Sequence, residues 1–160
     1  MFKPTTLSCD IQENYSYFMQ NIQGYMSKSE FPLTNLANFA AIVQYFFKDI
    51  NWVGFYLFDG KQLYLGPFQG LPACTSIALG KGVCGTSAQS QKTVVVPDTH
   101  LFPGHIVCDE ASLSEIVVPI IKDKQLYGVL DIDSPIKNRF TPEDQKILEL
   151  AINVLIDNLQ

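Results

Sequence analysis

The stretch Trp52-Val53-Gly54-Phe55-Tyr56-Leu57-Phe58 decides how the chain folds. It is rich in the aromatic and β-branched residues that suit a pleated strand. A period of two divides it into faces: Trp52, Gly54, Tyr56 and Phe58 on one, Val53, Phe55 and Leu57 on the other. Asp59-Gly60 follows at once and is a hairpin turn signal. Residues 62–66 then read as the return strand, and 67–73, with two prolines and Gly70, as a loop.

Working outward, the period changes. Residues 11–26 carry Ile11, Tyr15, Phe18, Met19, Ile22 and Met26 at helical spacing, an amphipathic helix. A break containing Pro32 separates it from a second helix over 33–47, with Leu36, Phe39, Ala40, Val43 and Phe47 on its stripe. Downstream, 76–79 reads as a short strand. The glycine-rich run Gly80 to Gly85 lacks both the P-loop ending and the GxGxxG pattern, so tight turning into a helix over 83–90 is the better reading. Strands are predicted over 93–96, 114–121 and 126–133, with a turn at 122–124. Thr141-Pro142-Glu143-Asp144 carries a capping threonine, a proline at the first helical position and early acids, which start a last helix running to about Asn158. Strands joined by tight turns predict an α+β fold, a mainly antiparallel sheet with helices packed on it, in one domain over 1–160.

The bulk numbers narrow the function. The 160 residues are 47% hydrophobic and 17% charged, as in a folded protein rather than a disordered one. The net charge of -5, with no basic run, argues against nucleic acid or an anionic membrane as the partner. No apolar run is long enough to span a bilayer, and the N-terminus lacks the apolar segment of a secretory signal. A cytoplasmic location is therefore expected. There the four cysteines are poor candidates for structural disulfides. No CxxC pair signals a zinc site.

Three of those cysteines fall on loops or element ends. Cys108 follows Gly104 and His105 and precedes Asp109 and Glu110, a polar setting in which a thiol can react. The adjacent acids raise a thiol's pKa, so His105, a helix N-terminus or a substrate cation must offset them. Cys84 sits near the start of the short helix, where the helix dipole would favour a thiolate. Cys74 follows Pro72-Ala73. A thiol oxidised in turnover needs a second thiol to resolve it. Cys9 receives no role. Asp131 and Asp133 point the same way on one strand, and Glu115 begins the other strand of that hairpin. Converging acids are costly unless they bind a cation, share protons or stay solvated. They suit a ligand ammonium group, and one kept protonated could be a general acid. Trp52 and Tyr56 could line the pocket or simply pack in the core.

Six segments in order, NWVGFYL, LGPFQG, AC followed by GVCG, FPGHIVCD, SEIVVP and GVLDIDSP, give the chain a close resemblance to the free methionine-(R)-sulfoxide reductases, enzymes built on a GAF domain. The resemblance covers about residues 35–140. It implies a GAF-like six-stranded antiparallel sheet flanked by helices. It implies reduction of free L-methionine (R)-sulfoxide to methionine through thiol, sulfenic acid and disulfide states. By the same resemblance Cys108 is the nucleophile and Cys74 and Cys84 are resolving thiols. Glu115, Asp131 and Asp133 would hold the substrate, with Trp52 and Tyr56 as the aromatic positions. No cofactor or metal is expected to be bound. Thioredoxin, fed by NADPH, would be the reductant, and relatives imply a homodimer.

Three other readings remain at this point. One is a GAF sensor that binds a small ligand, although a chain of this length offers no second domain to signal through. Another is a redox regulator whose disulfide switches a partner. The last is metal binding through Cys74, Cys84, Cys108 and His105.

Overall fold

β1 (Trp52–Phe58) forms at the stretch read first, in a computed structural model that describes residues 2, 7–8, 10–28, 31–104 and 111–159. Around it lie β2 (Gln62–Gln69), β3 (Ser76–Ala78), β4 (Val94–Val96), β5 (Ser114–Lys122) and β6 (Gln125–Ser134). The sheet runs β3-β2-β1-β6-β5-β4, and every neighbouring pair is antiparallel. The helices are α1 (Ile11–Tyr25), α2 (Pro32–Phe46), α3 (Gly82–Ser90) and α4 (Pro142–Asp157). This is the α+β architecture that the sequence predicts. No described helix is long and apolar enough to cross a membrane.

Local chemistry sets the ends of these elements. The Asp59 side chain accepts from the backbone N–H groups of Lys61 and Gln62, and Gly60 takes the positive φ of 99° that the β1–β2 turn needs. Asp123 and Lys124 join β5 to β6 with φ of 51° and 64°, a two-residue turn whose twist matches the strands. At α4, Thr141 and Asp144 cap each other's backbone N–H groups, with Pro142 first in the helix.

Two stretches differ from the sequence reading. β2 continues through Pro67, Phe68 and Gln69, where a loop was expected. Gly66 and Pro67 stand opposite Phe55, between the pairs Tyr56↔Leu65 and Gly54↔Phe68. A bulge there asks no ladder bond of the proline, so the strand survives it. A 3-10 turn also forms at Thr99–Leu101, capped by the Asp98 side chain. It is too short to leave a periodic signal.

The alternation of β1 is realised as two separate cores. Val53 and Phe55 pack with Ile116, Val118, Leu130 and Ile132 beneath α1, α2 and α4. Trp52 and Tyr56 face the other way, toward Val117, Val129 and the short α3. The functional residues lie on this second face.

Candidate functional site

Strand register assembles the site. Asp133 is paired with Trp52 on one side and Glu115 on the other. In the next row on that face, Asp131 lies between Gly54 and Val117. Trp52, Tyr56, Glu115, Asp131 and Asp133 line one cavity, and Cys84 on α3 closes it from above the sheet. Glycines make the approach possible. A methyl at Gly54 would collide with Phe68 and Trp52, and one at Gly85 with the Ala78 carbonyl oxygen. The first lets the indole lie over the strand; the second lets α3 press against β3. Gly80 and Gly82, with φ of 73° and 59°, give the tight turning that the sequence suggests, and Gly85 adds close packing to it.

The acids are deeply placed. Glu115 is 5% exposed and Asp131 6%, so both carboxyls are essentially out of water. Burial pushes Glu115 well above the usual carboxylate range, and the charge of Asp133 adds to it. Burial likewise pushes Asp131 up, reinforced by the charge of Glu115, to which it is hydrogen-bonded. Two buried carboxyls in contact favour a shared proton over two charges. One oxygen, Asp131 Oδ1, has no hydrogen-bond partner. A buried orphan acceptor of this kind costs free energy unless a ligand satisfies it.

Cys84 overturns one expectation. The helix N-terminus should favour its thiolate, but the thiol is 4% exposed and burial pushes its pKa well above the ordinary value. The charges of Asp131 and Glu115 push the same way, and the thiol donates to Asp131. Desolvation and two adjacent acids outweigh a fractional dipole charge. Cys84 is a free thiol. Cys74 is disulfide-bonded. Cys108, His105 and Cys9 lie outside the described residues.

The aromatic pair divides its roles. Trp52 stacks on Phe68, ring centroids 5.5 Å apart at 14°, and on Tyr56 at 6.0 Å and 27°. Both rings wall the cavity while packing in the second core, so the two readings of them coexist. Their polar ends are committed elsewhere. Trp52 Nε1 donates to the Leu71 carbonyl and the Tyr56 hydroxyl to the Cys74 carbonyl, each at 3.0 Å. Tyr56 can offer substrate its ring face, but in this state its hydroxyl is spoken for.

The sequence reading missed Ser112 and Lys81, which also line the cavity. Ser112 is buried, and its hydroxyl accepts from Asn51 Nδ2 at 3.0 Å. Lys81 is exposed and brings a cation to the rim. Neither stands out locally, since each depends on loops folding back over the sheet. The metal reading also changes its residues. Cys74 is in a disulfide, and the described group that could hold an ion is Cys84, Glu115 and Asp131, whose donor atoms lie within 4.8 Å of one another. The same donors suit an ammonium group, which carries N–H bonds to three acceptors.

Comparison with known proteins places this geometry. The GAF domain family matches residues 33–155. The chain is 45% identical over 140 residues to the free methionine-R-sulfoxide reductase of Escherichia coli, covering 88% of this chain and 85% of that protein. It is similar to the reduced form of fRMsr from Staphylococcus aureus, with a TM-score of 0.89, 45% identity, and coverage of 92% and 96% of the two chains. It is likewise similar to the Neisseria meningitidis free methionine-R-sulfoxide reductase in complex with its substrate. That match has a TM-score of 0.93 and 38% identity, covering 99% of this chain and 95% of that one.

Proposed function

The chain belongs to the free methionine-R-sulfoxide reductases of the GAF domain family, and on that footing we propose that it reduces free L-methionine (R)-sulfoxide to L-methionine. The observation that carries this is the buried acid cluster with its orphan Asp131 Oδ1. A zwitterionic amino acid supplies the missing donor through its ammonium group. The positive charge it brings also offsets the cost of ionising Glu115 and Asp131 in a buried site. Within a polypeptide the same nitrogen is an amide, with no charge and fewer hydrogens. The site should therefore act on the free amino acid and little on oxidised protein.

In the proposed chemistry Cys108 attacks the sulfoxide sulfur. Trp52 packs on the S-methyl group, and one buried carboxyl of the Glu115–Asp131–Asp133 cluster donates a proton to the sulfoxide oxygen. The protonated oxygen passes from the substrate sulfur to the Cys108 sulfur as the transient bond between the two sulfurs breaks, so the sulfoxide leaves as methionine, reduced by two electrons, and Cys108 is left oxidised as a sulfenic acid. Cys74 condenses with it, forming the disulfide and releasing water. The disulfide-bonded state of Cys74 supports that choice. Cys84, buried and held as a thiol, is a poorer first partner because the thiolate is the reacting form. A thioredoxin-type dithiol then reduces the disulfide.

The test is NADPH consumption coupled to thioredoxin and its reductase, with the R and S epimers supplied separately. Turnover on the R epimer alone is expected, falling by three orders of magnitude or more in Cys108→Ser, as for loss of a nucleophile (roughly 10³-fold and above). Turnover retained in that variant would sink the scheme. Stoichiometric oxidation without turnover would favour a redox regulator.

A further inference from the structure

The segment between β2 and β3 carries Cys74 and belongs to no helix or strand. Two β1 side chains hold its backbone. Trp52 Nε1 grips the Leu71 carbonyl near its start, and the Tyr56 hydroxyl grips the Cys74 carbonyl itself. Both donors come from a central strand whose backbone is paired on each side. Both rings are anchored, Trp52 between Tyr56 and Phe68, Tyr56 with 1% of its surface exposed. Gly70, with φ of 133°, brings the chain so close to Trp52 that a methyl there would meet the indole at 2.5 Å. The segment is clamped at two points from the pocket wall.

We infer that Tyr56 is a positioning residue for the resolving thiol: its hydroxyl, by holding the Cys74 carbonyl, keeps Cys74 within reach of the sulfenic acid during turnover. The inference rests on the proposed roles of Cys108 and Cys74. Resolution needs two sulfurs on separate segments to meet before water or further oxidation intervenes, and its rate depends on how often they meet. A loop held at a single carbonyl by a rigid ring samples far fewer positions than a free one.

Tyr56→Phe tests this, since it keeps the ring and removes only the donor. Reduced protein is mixed with free methionine (R)-sulfoxide in a single turnover without external reductant. Methionine formation is followed by quenching. Disulfide closure is followed by thiol counting and by the emission of Trp52, the only tryptophan in the chain. The expected result is disulfide closure slowed about tenfold relative to methionine formation in the same sample, the scale of one lost hydrogen bond. A sulfenic acid trappable by dimedone should accumulate. Closure at the parental rate, or slowing confined to methionine formation, would overturn the inference. Hydrogen peroxide in place of the sulfoxide separates this from the proposed activity. It oxidises the thiol to the sulfenic acid with release of water, so slowed closure can be read even in a chain that reduces no sulfoxide.

Discussion

The two faces of one sheet have been built to opposite specifications. Beneath α1, α2 and α4 the face is hydrocarbon: Val53, Phe55, Ile116, Leu130 and Ile132 have no exposed surface. One residue along each strand, the other face holds Trp52, Tyr56, Glu115, Asp131 and a buried thiol. The first face buries groups that gain from leaving water. The second packs apolar groups such as Val117 and Val129 too, but sets among them groups that lose by it. The strands therefore act as a rigid partition, stabilised from below and loaded with unfavourable groups above. That division lets three acids be held close together without the fold depending on them.

The largest effect should come from breaking the lower face. Phe55 is fully buried and packs edge-on against Phe39, centroids 5.6 Å apart. Phe55→Ala should cost about 3–5 kcal/mol of stability, the usual range for a large core truncation. Activity per folded molecule should hardly change. Urea titration read beside an activity assay checks it, and a large loss of activity at full folding would show that the faces are not separable.

The converse change, on the upper face, is expected to be somewhat smaller. Asp131→Asn removes a charge from the ligand's side and keeps the shape. Losing one partner of a buried charge pair costs about 2–5 kcal/mol of binding, so KM for the free sulfoxide should rise roughly a hundredfold. The melting temperature should hold or rise, because a neutral amide is easier to bury than a carboxyl. A fall in stability with KM unchanged would reverse the assignment of this face.

The same contrast explains what the sequence disclosed. The partition was legible, because period-two alternation in Trp52–Phe58 states which residues share a face, and the two cores follow it. The convergence of Asp131 and Asp133 was legible for the same reason. Glu115 required only that the β5–β6 hairpin form. Three things were hidden. The pKa of Cys84 depends on how deeply α3 settles on the acids, and a dipole argument from local sequence has no term for that. The commitment of the Tyr56 hydroxyl to Cys74 joins residues 18 positions apart through a loop with no periodicity. The extension of β2 through Pro67 depends on a bulge, which pattern alone does not announce.

The subtlest separation of the two faces is a slope. Among the described residues the buried carboxyls held above their ordinary range lie on the upper face, so that face should make the substrate-free protein sensitive to pH above the ordinary carboxylate range. Glu115 and Asp131 are both raised, by burial first and by neighbouring negative charge second. In the unfolded chain they ionise freely near pH 4. Below that both states hold their protons and the groups do not oppose folding. As pH rises from there toward the raised native values, the unfolded state binds fewer protons than the native one, so stability falls. Melting temperature measured in chelator-treated buffer should therefore decline as pH rises above about 4, and Asp131→Asn should flatten the decline. Bound methionine (R)-sulfoxide should flatten it too, because its ammonium favours the ionised cluster. Phe55→Ala should lower the whole curve without changing its slope. A slope that follows the core variant and ignores the acid variant would mean that the pH sensitivity lies elsewhere in the chain.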